Sequence, residues 1–396
     1  MSDRITAKVS RRIGKIQADI INLFKTASLP NGKSILRQIC EIIKLRLGPA
    51  KLKAQEYYWY NMADKEVYKG VDLSTFGGDF MTTDLHRQLN SARWDAVVTD
   101  KLIMAMVFSK VGIPQPQLYA AACRFVRDCG DYEVFSTEHE LTKFIENDIS
   151  YPFFCKPIKG GQAAGCNFVE SYNREKNELC LAGGGSISVA KFVDSLIDPS
   201  GWGFLFQEAV RPHPDTASIC GDSVSGCRVI MLLGDEGARP FRVVWKLPAR
   251  GNHVDNYVHG STGNLLADID LDTGCVVRVV SGSGKGLAVN PKHPDTGAEI
   301  IGMKVPDWEE MMVMLKKAAS AFSGFRFQHW DVGLTSKGPI VYELNTAGEV
   351  YITELVKGSG VYDSELKAFI DMYAEEGRRS KYVGTTPVSS SGHQVA

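Results

Sequence analysis

Apolar side chains in the first 60 positions recur at helical spacing. Ile5, Val9, Ile13, Ile16, Ile20, Ile21 and the Leu23-Phe24 pair form one series; Ile35, Ile39, Ile42, Ile43 and Leu47 form a second. The pattern predicts amphipathic helices and little strand. DKLIMAMVFSKVGIPQP (100–116) predicts another helix, stopped by Gly112 and followed by Pro114 and Pro116. Short strands and helices then alternate to about residue 206, including YPFFCKPI (151–158), a glycine-rich loop and the helix SVAKFVDSLI (188–197). Strand-like runs follow in GFLFQEAV, CRVIMLLG, FRVVWKLP and GNLLADIDLDTGCVVRVV, and WEEMMVMLKKAASAF (308–322) returns to helical spacing. DVGLTSKGPIVYELNTAGEV (331–350) sets two apolar runs about a turn at Ser336-Lys337-Gly338-Pro339, the pattern of a β-hairpin. The last dozen residues, TTPVSSSGHQVA, are small and polar and are expected to form a disordered tail.

Composition narrows the class. The 396 residues are 44% hydrophobic and 23% charged with a net charge of −1, an ordinary globular balance with no global case for nucleic-acid binding. Charge is unevenly spread: Lys and Arg outnumber Asp and Glu by 12 to 3 over residues 1–55. Two readings follow. Either the basic stems cover a core-facing helix pair, the reading favoured here, or the helices dock on an anionic membrane surface or a polyanionic substrate. No apolar run approaches the roughly 20 residues that span a bilayer, and charges interrupt any secretory segment. Nine scattered cysteines without a CxxC fit reduced thiols, and the expected location is cytoplasmic.

Within the hairpin, strict alternation puts Val341, Glu343 and Asn345 on one side and Tyr342 and Leu344 on the other, with Asp331 across from Glu343. Two acids and an amide in an apolar hairpin require a reason. FCKPIKGGQAAGCNFV carries Lys156 to a loop with Gly160, Gly161 and Gly165, which suits phosphate oxygens; a Gly-rich hairpin with a surface lysine is the commoner explanation. In GWGFLFQEAVRPHPD an apolar strand ends at Gln207-Glu208, suiting an adenine ring or merely ending in polar residues. Arg228 sits inside an apolar strand and Lys246 follows VVW. A structural ion pair with a hairpin acid would accommodate Arg228, but the number of charges at strand ends favours a ligand site.

In order and spacing, these pieces resemble the ATP-grasp enzymes, and within them the sugar-transfer-associated family. The likeness rests on CRVIML, VDNYVHGSTGNLLADIDLDTG, KHPDTGAEIIGMKVPDW and FQHWDVGLTSKGPIVYELNT, and covers roughly residues 95–360. It implies an α+β ATP-grasp fold, two α+β subdomains clamping ATP, with a helical N-terminal extension. The corresponding divisions are 1–98 basic and helical, 99–206 the lid subdomain, 207–384 the subdomain with the metal-binding hairpin, and 385–396 the tail. By the same resemblance, Lys101, Lys156, Gly160, Gly161 and Gly165 bind the nucleotide phosphates. Gln207, Glu208, Ala209 and Val210 form the adenine hinge, and Asp331, Glu343 and Asn345 hold one or two Mg²⁺ ions, with Mn²⁺ as a substitute. Arg228 and Lys246 are the catalytic cations, Arg228 facing the transferred phosphoryl group. Without metal, the neighbouring acids are expected to titrate high.

The resemblance implies a ligase that activates a carboxylate as an acyl phosphate for attack by an amine, on a small-molecule, glycan-linked or amino-acid substrate of polysaccharide assembly. A kinase acting on a sugar or polyol hydroxyl and a non-catalytic nucleotide-binding scaffold are the alternatives. The front end departs from the usual βαβ start, so acceptor identity does not carry over. His253, Asp255, Asn256 and His259, in a Gly-rich loop, are candidates for lining the acceptor pocket, although such residues are also ordinary turn formers.

Overall fold

Strand segments with apolar residues on both faces must be covered twice, and the described residues meet this demand with two sheets of seven strands. The computed structural model describes residues 17–124, 128–160, 165–196, 202–252, 254–345 and 348–379. Gly161, His253, the residues of the first helical series up to Ile16, and the predicted tail lie outside the described residues.

The first sheet contains β1 (Leu118–Ala122), β2 (Val134–Phe135), β3 (Phe153–Pro157), β4 (Asn167–Asn173), β5 (Glu178–Leu181), β6 (Ser186–Ser188) and β7 (Phe204–Glu208), in the order β2-β1-β7-β3-β4-β5-β6. Only β1 and β2 pair in parallel. The second contains β8 (Gly226–Gly234), β9 (Gly237–Leu247), β10 (Leu265–Ile269), β11 (Val276–Ser281), β12 (Ala288–Val289), β13 (Phe327–Thr335) and β14 (Gly338–Asn345). Its order is β12-β11-β10-β9-β8-β13-β14, antiparallel throughout.

The helix Lys101–Val111 lies between the two sheets. Leu102 and Ala105 join the core of the first sheet with Leu118, Ala121 and Leu205, while Met104 and Phe108 join the core of the second with Trp245 and Trp330. A helix buried on two sides has little use for a polar face, which explains its nearly uniform apolar sequence. Asp100 caps its start, accepting from the N–H groups of Leu102 and Ile103 at 3.1 Å each, and Gly112 ends it in the left-handed region at φ 71°. Capping therefore fixes Lys101, its first residue, at the junction of the sheets.

One face of the second sheet packs on the helix Trp308–Ala321. The other is covered by the N-terminal region, through Tyr57, Tyr60 and Phe76, and by the helices Asp79–Leu89, Tyr351–Lys357 and Ser364–Arg379. Glu354 ties these parts together. It is wholly buried and accepts from Gly77 N at 2.7 Å, from Val361 N at 2.8 Å and from the Tyr60 hydroxyl.

Two expectations change here. The hairpin of β13 and β14 forms with Asp331 opposite Glu343, but the register then jumps so that Val332 faces Val341. The extra residue, Tyr342, is a bulge that shifts the alternation by one position. Val341 consequently turns into the core beside Leu344, and only Glu343 and Asn345 stay on the charged side. Gly333 makes the bulge possible, since a Cβ there would stand 2.5 Å from the Tyr342 ring. The second change concerns the helix Ile35–Leu47. It directs Gln38 and Leu45 inward and leaves Leu36, Ile39, Ile43 and Leu47 in solvent, the reverse of a core-facing apolar stripe.

Candidate active site

The charged side chains converge on one face of the second sheet where the first sheet meets it. Arg228 and Asp331 are register partners on β8 and β13, so their side chains leave the sheet together. The guanidinium grips the carboxylate in parallel, Nε to Oδ1 and Nη2 to Oδ2, both at 2.8 Å. Lys246, two residues beyond Arg228's partner on β9, adds its Nζ to Oδ1 at 3.3 Å and pairs with Asp255 at 3.0 Å. Asn345 bridges the acids, its Nδ2 donating to Asp331 Oδ2 at 2.9 Å and to Glu343 Oε1 at 3.1 Å.

From the other side comes Lys101, whose Nζ donates to the Gly160 carbonyl at 2.5 Å and stands 3.7 Å from Glu343 Oε2. Lys156 on β3 belongs to the same group: its charge is coupled to Glu343 and Lys101. This ammonium is pushed down to about 8: burial lowers it, Glu343 opposes the drop and Lys101 adds to it. Lys101, Lys156, Arg228, Lys246, Asp331, Glu343 and Asn345 thus form one cluster contributed by both sheets.

Asp331 departs from the expectation of high-titrating acids. Burial pushes its carboxyl upward, but Arg228 and Lys246 outweigh burial and hold it well below the usual carboxylate range. Asp255 goes the other way, raised by burial that its ion pair with Lys246 only partly offsets.

Donor counting tests the metal assignment. An ionised carboxylate offers about four acceptor positions. Those of Asp331 are filled by Arg228 twice, Lys246 and Asn345, so in this arrangement Asp331 anchors two cations rather than presenting free oxygens. Glu343 differs: among the described residues, Oε1 receives one hydrogen bond and Oε2 has only the Lys101 ammonium, at 3.7 Å. With both Nδ2 hydrogens of Asn345 spent, its side-chain carbonyl oxygen is left as an acceptor. Glu343 and Asn345 fit a hard, oxygen-preferring cation. Among the described residues no three His, Cys, Asp or Glu side chains form a closed metal cage.

The end of β7 is laced to the hairpin turn. Glu208 accepts from Gln117 N at 3.0 Å and pairs with Lys337, while Leu334 O accepts from His213 N and Arg211 O from Ser336 N, each at 3.0 Å. The Glu208 side chain is therefore structural, and Gln207 is buried between β1 and β3. Ala209 and Val210 follow at the end of β7, partly exposed. Gly160 and Gly165 occupy positive φ, 138° and 76°, where glycine is favoured.

Known proteins can now be set beside this geometry. Residues 80–369 match the sugar-transfer associated ATP-grasp family. The chain belongs to that family. Its fold is accordingly the ATP-grasp fold, α+β with N-terminal helices. Similar solved structures include the biotin carboxylase–β-γ-ATP complex of Campylobacter jejuni (14% identity, TM-score 0.42, covering 73% of this chain and 48% of that one). Others are the ATP-grasp ligase PsnB with its precursor peptide PsnA2 and AMPPNP (12%, 0.38, 72% and 62%) and the VanG D-Ala:D-Ser ligase of Enterococcus faecalis (14%, 0.37, 69% and 61%). The chain spans about half to three fifths of the length of these proteins. No curated protein matches it in sequence.

In this ATP-grasp protein the three acceptor candidates among the described residues, Asp255, Asn256 and His259, have separate partners. Asp255 turns to Lys246; the Asn256 carbonyl accepts from Asn264 at 2.8 Å; His259 stacks on Trp59 with ring centroids 3.8 Å apart. They part because Val258 and His259 take up positive φ, 44° and 51°, which turns the chain between them. His329 went unnoticed in the sequence. It lies across from Asn345 on the face of Asp331, fully buried, and neither ring nitrogen has a hydrogen-bond partner among the described residues. Burial holds it neutral, well below the usual histidine range. Its signal was positional: His329 stands two residues before Asp331 in the alternating strand.

Proposed function

We propose that this chain is an ATP-dependent ligase that activates a carboxylate as an acyl phosphate and passes the acyl group to an amine. Family membership supports nucleotide use, and the charge balance of the cluster supports a polyphosphate ligand. Three carboxylates, Asp255, Asp331 and Glu343, stand against four cations, Lys101, Lys156, Arg228 and Lys246, leaving an excess of one positive charge when Lys156 is protonated. The observation that carries the reading is the approach of Lys101, bonded to Gly160 of the glycine loop, to within 3.7 Å of Glu343 on the hairpin.

Each residue has a distinct task in this reading. Lys101 and Lys156 bind the terminal phosphates, and Lys156, near its own titration range, gains a firm proton once an anion arrives. Asp331 holds Arg228 and Lys246 at fixed positions, so their charge needs little reorganisation as the phosphoryl group moves. Glu343 and Asn345 would hold a divalent cation, which would supply Lewis-acid neutralisation of phosphate charge when bound. The substrate carboxylate oxygen attacks the γ-phosphorus, the β–γ bridging P–O bond breaks and ADP departs. An amine then adds to the acyl carbon and phosphate leaves. Backbone groups at Gln207 to Val210 receive the adenine, and a sugar-linked or amino-acid acceptor fits the reading best.

The test is incubation with ATP, Mg²⁺, candidate carboxylates and hydroxylamine. ADP release with hydroxamate is the expected outcome. A phosphorylated hydroxyl without hydroxamate would make the protein a kinase, and nucleotide binding without turnover a scaffold.

A further inference from the structure

The helix Ile35–Leu47 is built inside out. Its inner face is held by polar contacts: Gln38 donates to Lys33 O at 2.7 Å and accepts from the Thr26 and Tyr58 hydroxyls at 2.9 and 3.3 Å. On the same side Glu41 accepts from Lys33 Nζ at 2.7 Å and from the Tyr57 hydroxyl at 2.8 Å. The outer face is aliphatic. Leu36 is 76% exposed, Ile43 53% and Leu47 83%, with Ile39 beside them at 38%. At about 100° per residue, these four side chains fall within an arc of roughly 80°. Arg46 borders that arc on one side, and Lys44 and Arg37 on the other. Arg46 also lies 4.3 Å over the ring of Phe80, another exposed apolar side chain. The preceding helical residues, 17–27, leave Ile20, Ile21 and Phe24 exposed as well.

We infer that this face docks on an anionic lipid bilayer surface, with the aliphatic stripe entering the headgroup boundary and the flanking cations meeting lipid phosphates. The flanks decide the occupant. A second copy of the same face would bring Lys44 and Arg46 against their own kind, whereas an anionic surface complements them on both sides. Glu41, the one acid of the helix Ile35–Leu47, is turned inward and paired with Lys33 and Arg37. No helix among the described residues is long and apolar enough to cross a membrane, so the contact is peripheral. This inference is independent of the chemistry proposed above. It places the enzyme where a lipid-borne substrate would be presented.

The experiment is co-sedimentation of the full chain with vesicles of pure phosphatidylcholine and with vesicles containing about 30% phosphatidylglycerol. Partition onto the anionic vesicles is expected, weakened by high salt, and reduced about tenfold or more by Leu36→Ser with Ile43→Ser and by Lys44→Glu with Arg46→Glu. Thermal unfolding is measured in parallel, and both variants should unfold as wild type does because the altered side chains are exposed. Equal binding by wild type and variants, or no binding at all, would overturn the inference. So would a wild-type dimer in light scattering that the Leu36→Ser, Ile43→Ser variant dissolves without any vesicle binding, since the face would then belong to a second copy.

Discussion

The buried acid Glu354 and the acids of the charged cluster are handled in opposite ways. Glu354 receives its hydrogen bonds from two backbone N–H groups and a tyrosine hydroxyl, all neutral and fixed by the fold. Asp331 and Glu343 face ammonium and guanidinium groups at the ends of long side chains, together with one amide. The first group is pushed up to about 8 by burial, since fixed neutral donors only partly offset the loss of water. In the second, Asp331 is driven down, because full charges outweigh the same loss. Neutral donors make a joint; fully charged donors make a site that can also attract an incoming anion.

The sharpest way to break this comparison is Glu343→Gln. It should cut ATP-dependent turnover by about 10³-fold or more while leaving the melting temperature nearly unchanged. Steady-state ADP release and calorimetry together check this. Wild-type turnover in that variant would remove Glu343 from the mechanism. Glu354→Ala should do the converse. It orphans the N–H groups of Gly77 and Val361 and the Tyr60 hydroxyl, and should cost about 3 kcal/mol of stability in denaturant unfolding. A shift below about 0.5 kcal/mol would mean that the N-terminal region is held by other contacts.

Gentler perturbations sharpen the same contrast. The folded-state pKa of Glu354 lies above its ordinary value of 4.5, so its contribution to stability is complete below that value and is lost as pH rises through about 8. Unfolding free energy measured from pH 4.5 to 8 should therefore decline more steeply in wild type than in Glu354→Gln, which cannot titrate. In the charged cluster, nucleotide affinity should fall once pH exceeds about 8, as Lys156 loses its proton. Fluorescence titrations across pH 7 to 9 test this, and Lys156→Met should bind about tenfold more weakly and without that pH dependence. A pH-independent Kd in wild type would exclude Lys156 from the phosphate site.

The hairpin was legible because a turn and two alternating runs define both an element and its register, and Asp331 does meet Glu343. Its bulge was announced only by Gly333, a glycine inside a strand, whose meaning depends on the Tyr342 ring that fills the space. Helix Lys101–Val111 was equally readable from its sequence and its Gly112 stop. The direction in which helix Ile35–Leu47 faces was not, since periodicity reveals a stripe without saying what covers it. Nor did the sequence show that Asp331 would be saturated. That required the ranking of competing donors from β8, β9 and β14, which only the assembled sheet supplies.

The joint at Glu354 also sets a schedule for the growing polypeptide. Tyr60 and Gly77 find their partner 294 and 277 residues downstream. The strand face on which Tyr57, Tyr60 and Phe76 rest is built from Val244, Leu266 and Val280, so it too is made long after them. Contacts of such long range form slowly. During synthesis, the early part of this protein is therefore the stretch most in need of chaperone shelter.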